Sequence, residues 1–365
     1  MTRGRVADPA TSAEAARLDA QKLAFAPLVF QACRVAREQG VLAFGYRRGA
    51  RGFTAAEAAG ACGLSLYAAR LLTEACMVAG LLAHDEPRFA ITKVGVYWEK
   101  DALTRVNADF VHHVCGRGGL HLGEALRTGL PAGLRELGDF STIYEGLSRL
   151  APDVRGAWLA FDHFYSDGVF EACLGDVLAP GVRHVVDVGG NTGRFARLVT
   201  SRAPDVRVTI VDLPGQLAQA RVQLADLVDA GRVALHPADL LDPRSALPGG
   251  ADAYWMSQFL DCFGEDEIAS ILARTRDAMG PGSRLFVLET FWDLQRHEAA
   301  RFCVVATSLY FACMANGNSR MYHSRDLRAL VESVGMSVAA VRSGLGVAHT
   351  LLRIGRASPA GLRAT

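Results

Sequence analysis

The chain carries no excess of charge of one sign and no C-x-x-C cysteine pair. Its 39 Lys and Arg residues are balanced by 38 Asp and Glu, so there is no broad electrostatic footprint for nucleic acid. The eight cysteines (Cys33, Cys62, Cys76, Cys115, Cys173, Cys262, Cys303 and Cys313) are scattered without a C-x-x-C pair. That argues for reduced core thiols and against a disulfide or zinc framework. Residues 1–20 are polar and Ala-rich, with no apolar segment after a basic start; no signal peptide is expected, and the protein is read as cytoplasmic. Histidines at ligand spacing on one helix are also missing: His112 and His113 are adjacent and point to different faces. No metal is called for.

What is present is length, 365 residues, enough for two domains with sizeable cores, and one organising stretch. Val185 to Ala196 reads VVDVGGNTGRFA: β-formers, a turn carrying Gly189, Gly190 and Gly193, then apolar residues at helical spacing. Glycines let a backbone turn sharply and approach a ligand, and the N–H groups of the following helix start face it. Alone, such a turn is equally a close-packed connection, and it does not separate NAD, FAD and S-adenosylmethionine. The next strand, Arg207 to Val211, ends in Asp212, 25 residues after Asp187 and followed by Leu213-Pro214-Gly215. A carboxylate there accepts both ribose hydroxyls of an adenosine ligand, each charge-assisted bond contributing about 1.5–3 kcal/mol.

Ahead of this lies a different module. Residues 1–20 are read as a frayed leader, Leu23 to Ala43 as a helix closed by Gly40, and Thr54 with Glu57 as a capping box. Ser65 begins a second helix through Ala79, and residues 81–92 form a hairpin around Asp85-Glu86-Pro87. Helix, turn, helix and wing suggest DNA, but Leu66 to Ala79 offers only Arg70 against a run of apolar residues. Such a face buries itself instead of entering a groove.

The runs D-V-G-G-N-T-G, V-D-L-P-G and P-A-D-L-L, in that order, resemble class I S-adenosylmethionine-dependent methyltransferases, and within them the small-molecule O-methyltransferases that carry a winged-helix dimerisation domain in front. The likeness covers about Leu23 to Arg353. More narrowly, Gln258 to Phe263 together with Phe161 to Tyr165 is similar to methyltransferases of bacterial aryl-polyene and related pigment clusters. The resemblance implies an α/β fold: a Rossmann-like class I methyltransferase domain with a mostly parallel seven-stranded sheet, preceded by a mostly α-helical winged-helix dimerisation domain. The expected divisions are a leader at 1–20, the dimerisation domain at 21–100, a helical linker and lid at 101–170, the catalytic domain at 171–356 and a tail at 357–365. A homodimer follows, with S-adenosyl-L-methionine as cofactor and no nucleic acid, membrane or metal partner.

Carried over residue by residue, the cofactor set is Asp187, Gly189, Gly190, Asn191, Gly193, Asp212, Leu213, Asp239, Leu240, Ser257, Gln258 and Phe263. Asp239 and Leu240 would meet the adenine, or be a solvated loop. Phe263 would cover the adenine, or be core. Asn191 stands where many relatives have Gly and tolerates left-handed backbone. For the acceptor, Phe161, Asp162 and Tyr165 belong to a helix that touches both donor and acceptor in the family; Phe161, Phe164 and Tyr165 share one side and equally suit an aromatic core. Glu289 ends a strand at the same edge as a candidate second-shell or substrate-side acid. Tyr310 and Met314 lie on the apolar helix Arg301 to Ala315, which would wall a flat aromatic substrate, and Asn318 on the loop before a last helix capped by Ser324.

The fourth strand delivers Asp261-Cys262-Phe263 where relatives carry His-Asp-Trp, the histidine acting as base on the acceptor hydroxyl. An ordinary carboxylate near pKa 4 is a poor base toward a phenol near 10. Three accounts remain: burial raises Asp261; His163 or Tyr165 supplies the base; or the acceptor needs none. The expected function is methyl transfer to a small aromatic or polyketide-like acceptor in bacterial secondary metabolism, most naturally at a phenolic oxygen. Alternatives are a C- or N-methyltransferase of the same fold, a cofactor-binding protein that has lost transfer, and a hydroxylase or decarboxylase in which the sulfonium is not a donor.

Overall fold

The computed structural model describes residues 12–357, which divide into one unit ending at Ala108 and a second beginning at Asp109. The first unit opens with the helix Ala13–Glu38, whose start is fixed by the Ser12 hydroxyl accepting the Ala15 N–H at 3.1 Å. The expectation of a leader through residue 20 is therefore corrected for Ala13 to Ala20, which are helical; residues 1–11 lie outside the described residues. Gly40, in the left-handed region at φ 80°, ends that segment and starts a separate helix, Val41–Arg48, which the apolar pattern had merged into one. Thr54 and Glu57 form a reciprocal capping box, and Ser65 caps Leu66–Val78. Strands β1 (Leu82–Asp85) and β2 (Arg88–Ile91) pair antiparallel as the wing. Phe53, Leu72, Cys76, Leu82 and Phe89 close its core, with Leu23, Phe25, Leu28 and Tyr67 left exposed.

The second unit is a seven-stranded sheet: β3 (His184–Val188), β4 (Arg207–Asp212), β5 (Val233–Pro237), β6 (Ala253–Ser257), β7 (Arg284–Glu289), β8 (Met336–Leu345) and β9 (His349–Arg356). Its order is β5-β4-β3-β6-β7-β9-β8. Strands β3 to β7 run parallel, while β9 runs antiparallel to β7 and β8. The central strands are apolar on both faces, as helix-covered parallel strands must be. Val186, Val188, Tyr254, Met256 and Val287 fill one core; Val185, Val208, Ile210, Trp255 and Leu288 fill the other, in the period-two alternation of a strand. Because β3 connects outward to β4 while β6 lies on its other side, the carboxyl ends of β3 and β6 open a crevice, the usual ligand position in such sheets.

A single helix, Pro152–Val177, runs through the expected boundary at 170/171, so no division falls there. Residues from Asp109 onward in the expected linker belong to the second unit. Phe110, Val114, Leu134, Ile143, Leu147 and Trp158 pack with Tyr310, Phe311 and Met314 of the helix Glu298–Tyr310 and the π-helical turn Phe311–Ala315 that extends it. Among the described residues, Glu298–Ala315 is the one helix with the length and hydropathy of a membrane span. The last helix, Ser324–Ser333, is capped by His323, whose Nδ1 accepts the Arg325 N–H at 3.0 Å, and not by Ser324.

Behind the sheet, the fully buried Tyr254 places its hydroxyl 2.7 Å from the Pro248 carbonyl and 2.9 Å from that of Ala278, tying a loop to a helix end. Tyr254→Phe leaves both carbonyls without that donor and is expected to lower unfolding free energy by about 1–3 kcal/mol. Urea unfolding measures it as a lower midpoint at unchanged m; an unchanged midpoint would mean that the two carbonyls find other donors.

Candidate functional site

The site begins where β3 ends. Gly189 (φ 74°) donates its N–H to Val211 O at 2.8 Å, and a Cβ on it would lie 2.2 Å from the Phe259 ring. A Cβ on Gly190 would lie 2.7 Å from Asp187 Oδ2. Only glycines let the turn sit this close to both. Asn191 follows in the left-handed region (φ 48°) and donates its N–H to Asp212 Oδ2 at 2.8 Å, while Leu213 N–H binds Asp212 Oδ1 at 2.7 Å. Asp212 thus clamps the turn and keeps lone pairs for a ligand. Asp187 is buried, and its Oδ2 has no hydrogen-bond partner. Burial, then the nearby Asp212, pushes the Asp187 carboxyl up to about 8. Burial raises Asp212 to about 6 against the pull of the two N–H groups.

From this turn a cavity of about 480 Å³ extends across the ends of β3, β4 and β6. One end is the cradle of Gly189, Gly190, Asn191, Asp212, Asp239 and Leu240. The other is walled by aromatic rings: Phe110 stacked on Phe161 at 4.0 Å, and Trp158, whose indole N–H donates to Tyr310 Oη at 2.7 Å. Between them runs the loop after β6. Gln258 stands in the left-handed region (φ 46°). Glu289 Oε1 accepts the N–H groups of Phe259 (3.0 Å) and Leu260 (2.8 Å), and the Asn316 amide donates to Cys262 O. This fastening places Asp261 in the wall, 5% exposed. Its carboxyl is pushed up to about 7, chiefly by burial, with the Cys262 thiol lowering it and Asp162 raising it. His163 Nδ1 lies 3.9 Å from Asp162 Oδ2. Burial, the larger effect, holds His163 below its ordinary value, and burial raises Asp162.

The cavity brings together His163, Asp261, Asp187, Gly189, Gly190, Asn191, Asp212, Leu213, Asp239, Leu240, Ser257, Gln258, Phe263, Phe161, Asp162, Tyr310 and Asn318. Four expected residues stand outside it. Gly193 is at the start of the helix Arg194–Arg202, facing Leu224. Tyr165 is buried against Phe161, with ring centroids 4.9 Å apart. Met314 is core, against Gly118. Glu289 is buried behind the loop it fastens, which corrects a substrate-side role to a supporting one. Sequence reasoning missed Tyr144, Trp158, Arg194 and Asn316 in the wall. Trp158 had a signal, three residues before Phe161 on one helix; Tyr144, on the short helix Ile143–Gly146, had none.

The cradle fits an adenosyl ligand: a clamped carboxylate for the ribose diol, a backbone turn that no Cβ blocks, and an unpartnered buried carboxyl oxygen beside it. Residues 169–337 match the O-methyltransferase domain and residues 17–89 the dimerisation2-like domain. Residues 169–337 are thus similar to O-methyltransferase domains. The aclacinomycin 10-hydroxylase RdmB of Streptomyces purpurascens is 34% identical over 163 residues, 44% of this chain and 42% of that protein. The 3-hydroxy-5-methyl-1-naphthoate 3-O-methyltransferase of Streptomyces sahachiroi is 29% identical over 66% of this chain and 68% of its own length. The first of these matches thus spans less than half of the relative. The apo structure of the S-adenosylmethionine-dependent methyltransferase SibL shares the fold, with TM-score 0.69 and 22% identity over 93% of this chain and 98% of that one.

A buried carboxyl whose folded pKa is raised binds its proton more tightly folded than unfolded. Its protonated form costs nothing at low pH, and stability falls as pH rises from the unfolded value near 4 toward the folded value. For Asp187 that window runs from about pH 4 to 8, each pH unit within it removing up to about 1.4 kcal/mol. Asp187→Asn is therefore expected to gain stability relative to the parent between pH 5 and pH 8 in ligand-free thermal or urea unfolding. A difference independent of pH would show Asp187 ionised throughout.

Proposed function

We propose that the protein is an S-adenosylmethionine-dependent methyltransferase acting on a phenolic oxygen of a small aromatic or polyketide-like acceptor, and that it works as a homodimer. One observation carries the reading: a single cavity joins an adenosyl-type cradle to an aromatic cage, with the titratable carboxyl of Asp261 in the wall between them. The naphthoate methyltransferase named above supports a flat aromatic acceptor. The dimerisation2-like match and the exposed Leu23, Phe25 and Leu28 support pairing of two chains. Eight unpaired cysteines suit a reducing, cytoplasmic setting.

When bound, S-adenosylmethionine supplies an electrophilic methyl group on a sulfonium. The chain's own work is positioning. Asp212 holds the ribose hydroxyls, Asp239 and Leu240 border the adenine, and Phe110, Phe161 and Trp158 hold a flat ring in line. Bringing the two reactants together is worth up to about 7–11 kcal/mol. A carboxyl held near 7 exchanges protons at neutral pH, which answers the objection that an ordinary Asp is too weak a base. Asp261 takes the phenolic proton; His163, neutral and nearby, is the second candidate for that role.

A second reading, in which the sulfonium is bound but is not a donor, is favoured by the likeness to the 10-hydroxylase and by Asp261 where the family has histidine. Release of S-adenosylhomocysteine in step with product formation separates the two; an oxygenated product without that release would establish the second.

Asp212→Ala is expected to weaken S-adenosylmethionine binding about tenfold in calorimetry, and unchanged affinity would remove Asp212 from the site. Asp261 works as a base when deprotonated, so kcat/KM should rise as pH passes through about 7. Asp261→Asn should remove that limb and cost roughly 10²–10⁴ in rate at unchanged cofactor affinity. If Asp261→Asn stays active and His163→Ala does not, the base is His163.

A further inference from the structure

We propose that His349 is a positioning residue that fixes the side-chain amide of Gln258 so that its N–H groups face the cavity and bind a carboxylate or carbonyl oxygen of the bound ligand. Gln258 is the first residue after β6 and lies in the cavity wall. Its backbone is held in the left-handed region (φ 46°) by an N–H bond to Leu288 O at 2.9 Å. That conformation is unfavourable for a residue with a side chain, and it persists where surrounding contacts over-determine it, commonly at functional sites. The side chain is fixed as well: Gln258 Oε1 lies 2.8 Å from His349 Nε2.

His349 opens β9 and is fully buried. Its Nδ1 is buried with no hydrogen-bond partner. A neutral imidazole carries one N–H. With the proton on Nδ1, a donor would be buried unpaired; with the proton on Nε2, only a lone pair is unpaired, which is the commoner and cheaper defect. Nε2–H therefore donates to Gln258 Oε1. The amide is planar, so its NH₂ group is the end left to the cavity, where it supplies donors and no acceptor. Burial keeps the imidazole neutral, its pKa pushed down to about 4, so the arrangement does not change across neutral pH. Nothing in the proposed chemistry otherwise uses this histidine, whose neighbour Thr350 pairs with Glu289 in the sheet. The loop carrying Asp261 is thus fastened by Glu289 from β7 and oriented at its first side chain by His349 from β9.

An oxygen to match these donors has two sources: the methionine carboxylate of the donor, or a carbonyl on the methyl acceptor, the second resting on the function proposed above. The test uses the full chain and four probes. S-adenosylhomocysteine and 5′-methylthioadenosine differ in the methionine end. 2-Hydroxy-1,4-naphthoquinone and 2-naphthol, titrated into protein saturated with S-adenosylhomocysteine, differ in the carbonyls. His349→Phe keeps a ring and removes the donor; His349→Gln restores an amide donor; Gln258→Leu removes the amide and serves if His349→Phe does not fold.

The expected result is selective. His349→Phe and Gln258→Leu weaken S-adenosylhomocysteine about tenfold and spare methylthioadenosine if the oxygen belongs to the donor. They weaken the quinone about tenfold and spare naphthol if it belongs to the acceptor. His349→Gln returns the affected probe to within about threefold of the parent. Affinities that stay within twofold for all four probes, or fall equally for all four, overturn the proposal, leaving His349 a packing residue. Failure of the parent itself to bind S-adenosylhomocysteine would instead refute the function proposed above, and this inference with it. If the parent binds neither naphthalene, the donor pair alone decides.

Discussion

The structure depends on one close approach: the glycine turn after β3 lies against Phe259 of the loop after β6, nearer than any side chain on Gly189 would allow. The two strands are neighbours in the sheet, but the chain leaves them in different directions, so their carboxyl ends must be joined by packing. Where they meet, the turn presents its backbone to one side and the loop presents Asp261 to the other. The two ends of the cavity, glycine turn and aromatic cage, are held in one frame because these two segments touch. The low-dielectric surroundings that result are also what raise the carboxyls of Asp187 and Asp261.

The wall of the cavity is fastened by hydrogen bonds from several elements. Glu289 spends one carboxyl oxygen on two loop N–H groups, Asn316 binds the Cys262 carbonyl and is itself held by Ser319 at 2.7 Å, and Tyr322 donates to Phe263 O at 2.6 Å. Each secures backbone that carries a wall residue, so the site rests on strand ends and not on loose loops. In this setting the Asp261 carboxyl is pushed up to about 7, because burial, not residue type alone, decides where a group titrates.

Much of the architecture was legible in the chain. Strand positions, the capping box at Thr54 and Glu57, and the wing followed from local pattern, since period-two and helical spacing act over a few residues. The errors were of range. Gly40 separates two helices that share one apolar pattern. The helix Pro152–Val177 crosses the expected domain boundary because its aromatic half packs in the cage while its end packs on the sheet. For the site, the glycine turn and Asp212 were readable because they end consecutive strands and meet through the Asn191 N–H. Much of the cavity's aromatic wall was not, since Tyr144, Trp158 and Asn316 come from separate segments.

The sequence alone determined the order of elements and the placing of the glycine turn and Asp212 at neighbouring strand ends, because these rest on short-range spacing. Only the tertiary structure decided which carboxyls are buried enough to titrate near neutrality, that Glu289, Met314 and Tyr165 support the cavity instead of lining it, and that His349 meets Gln258 across 91 residues. The physical reason is that burial and hydrogen-bond partnership are properties of neighbours in space, and the sheet brings together strands far apart in the chain.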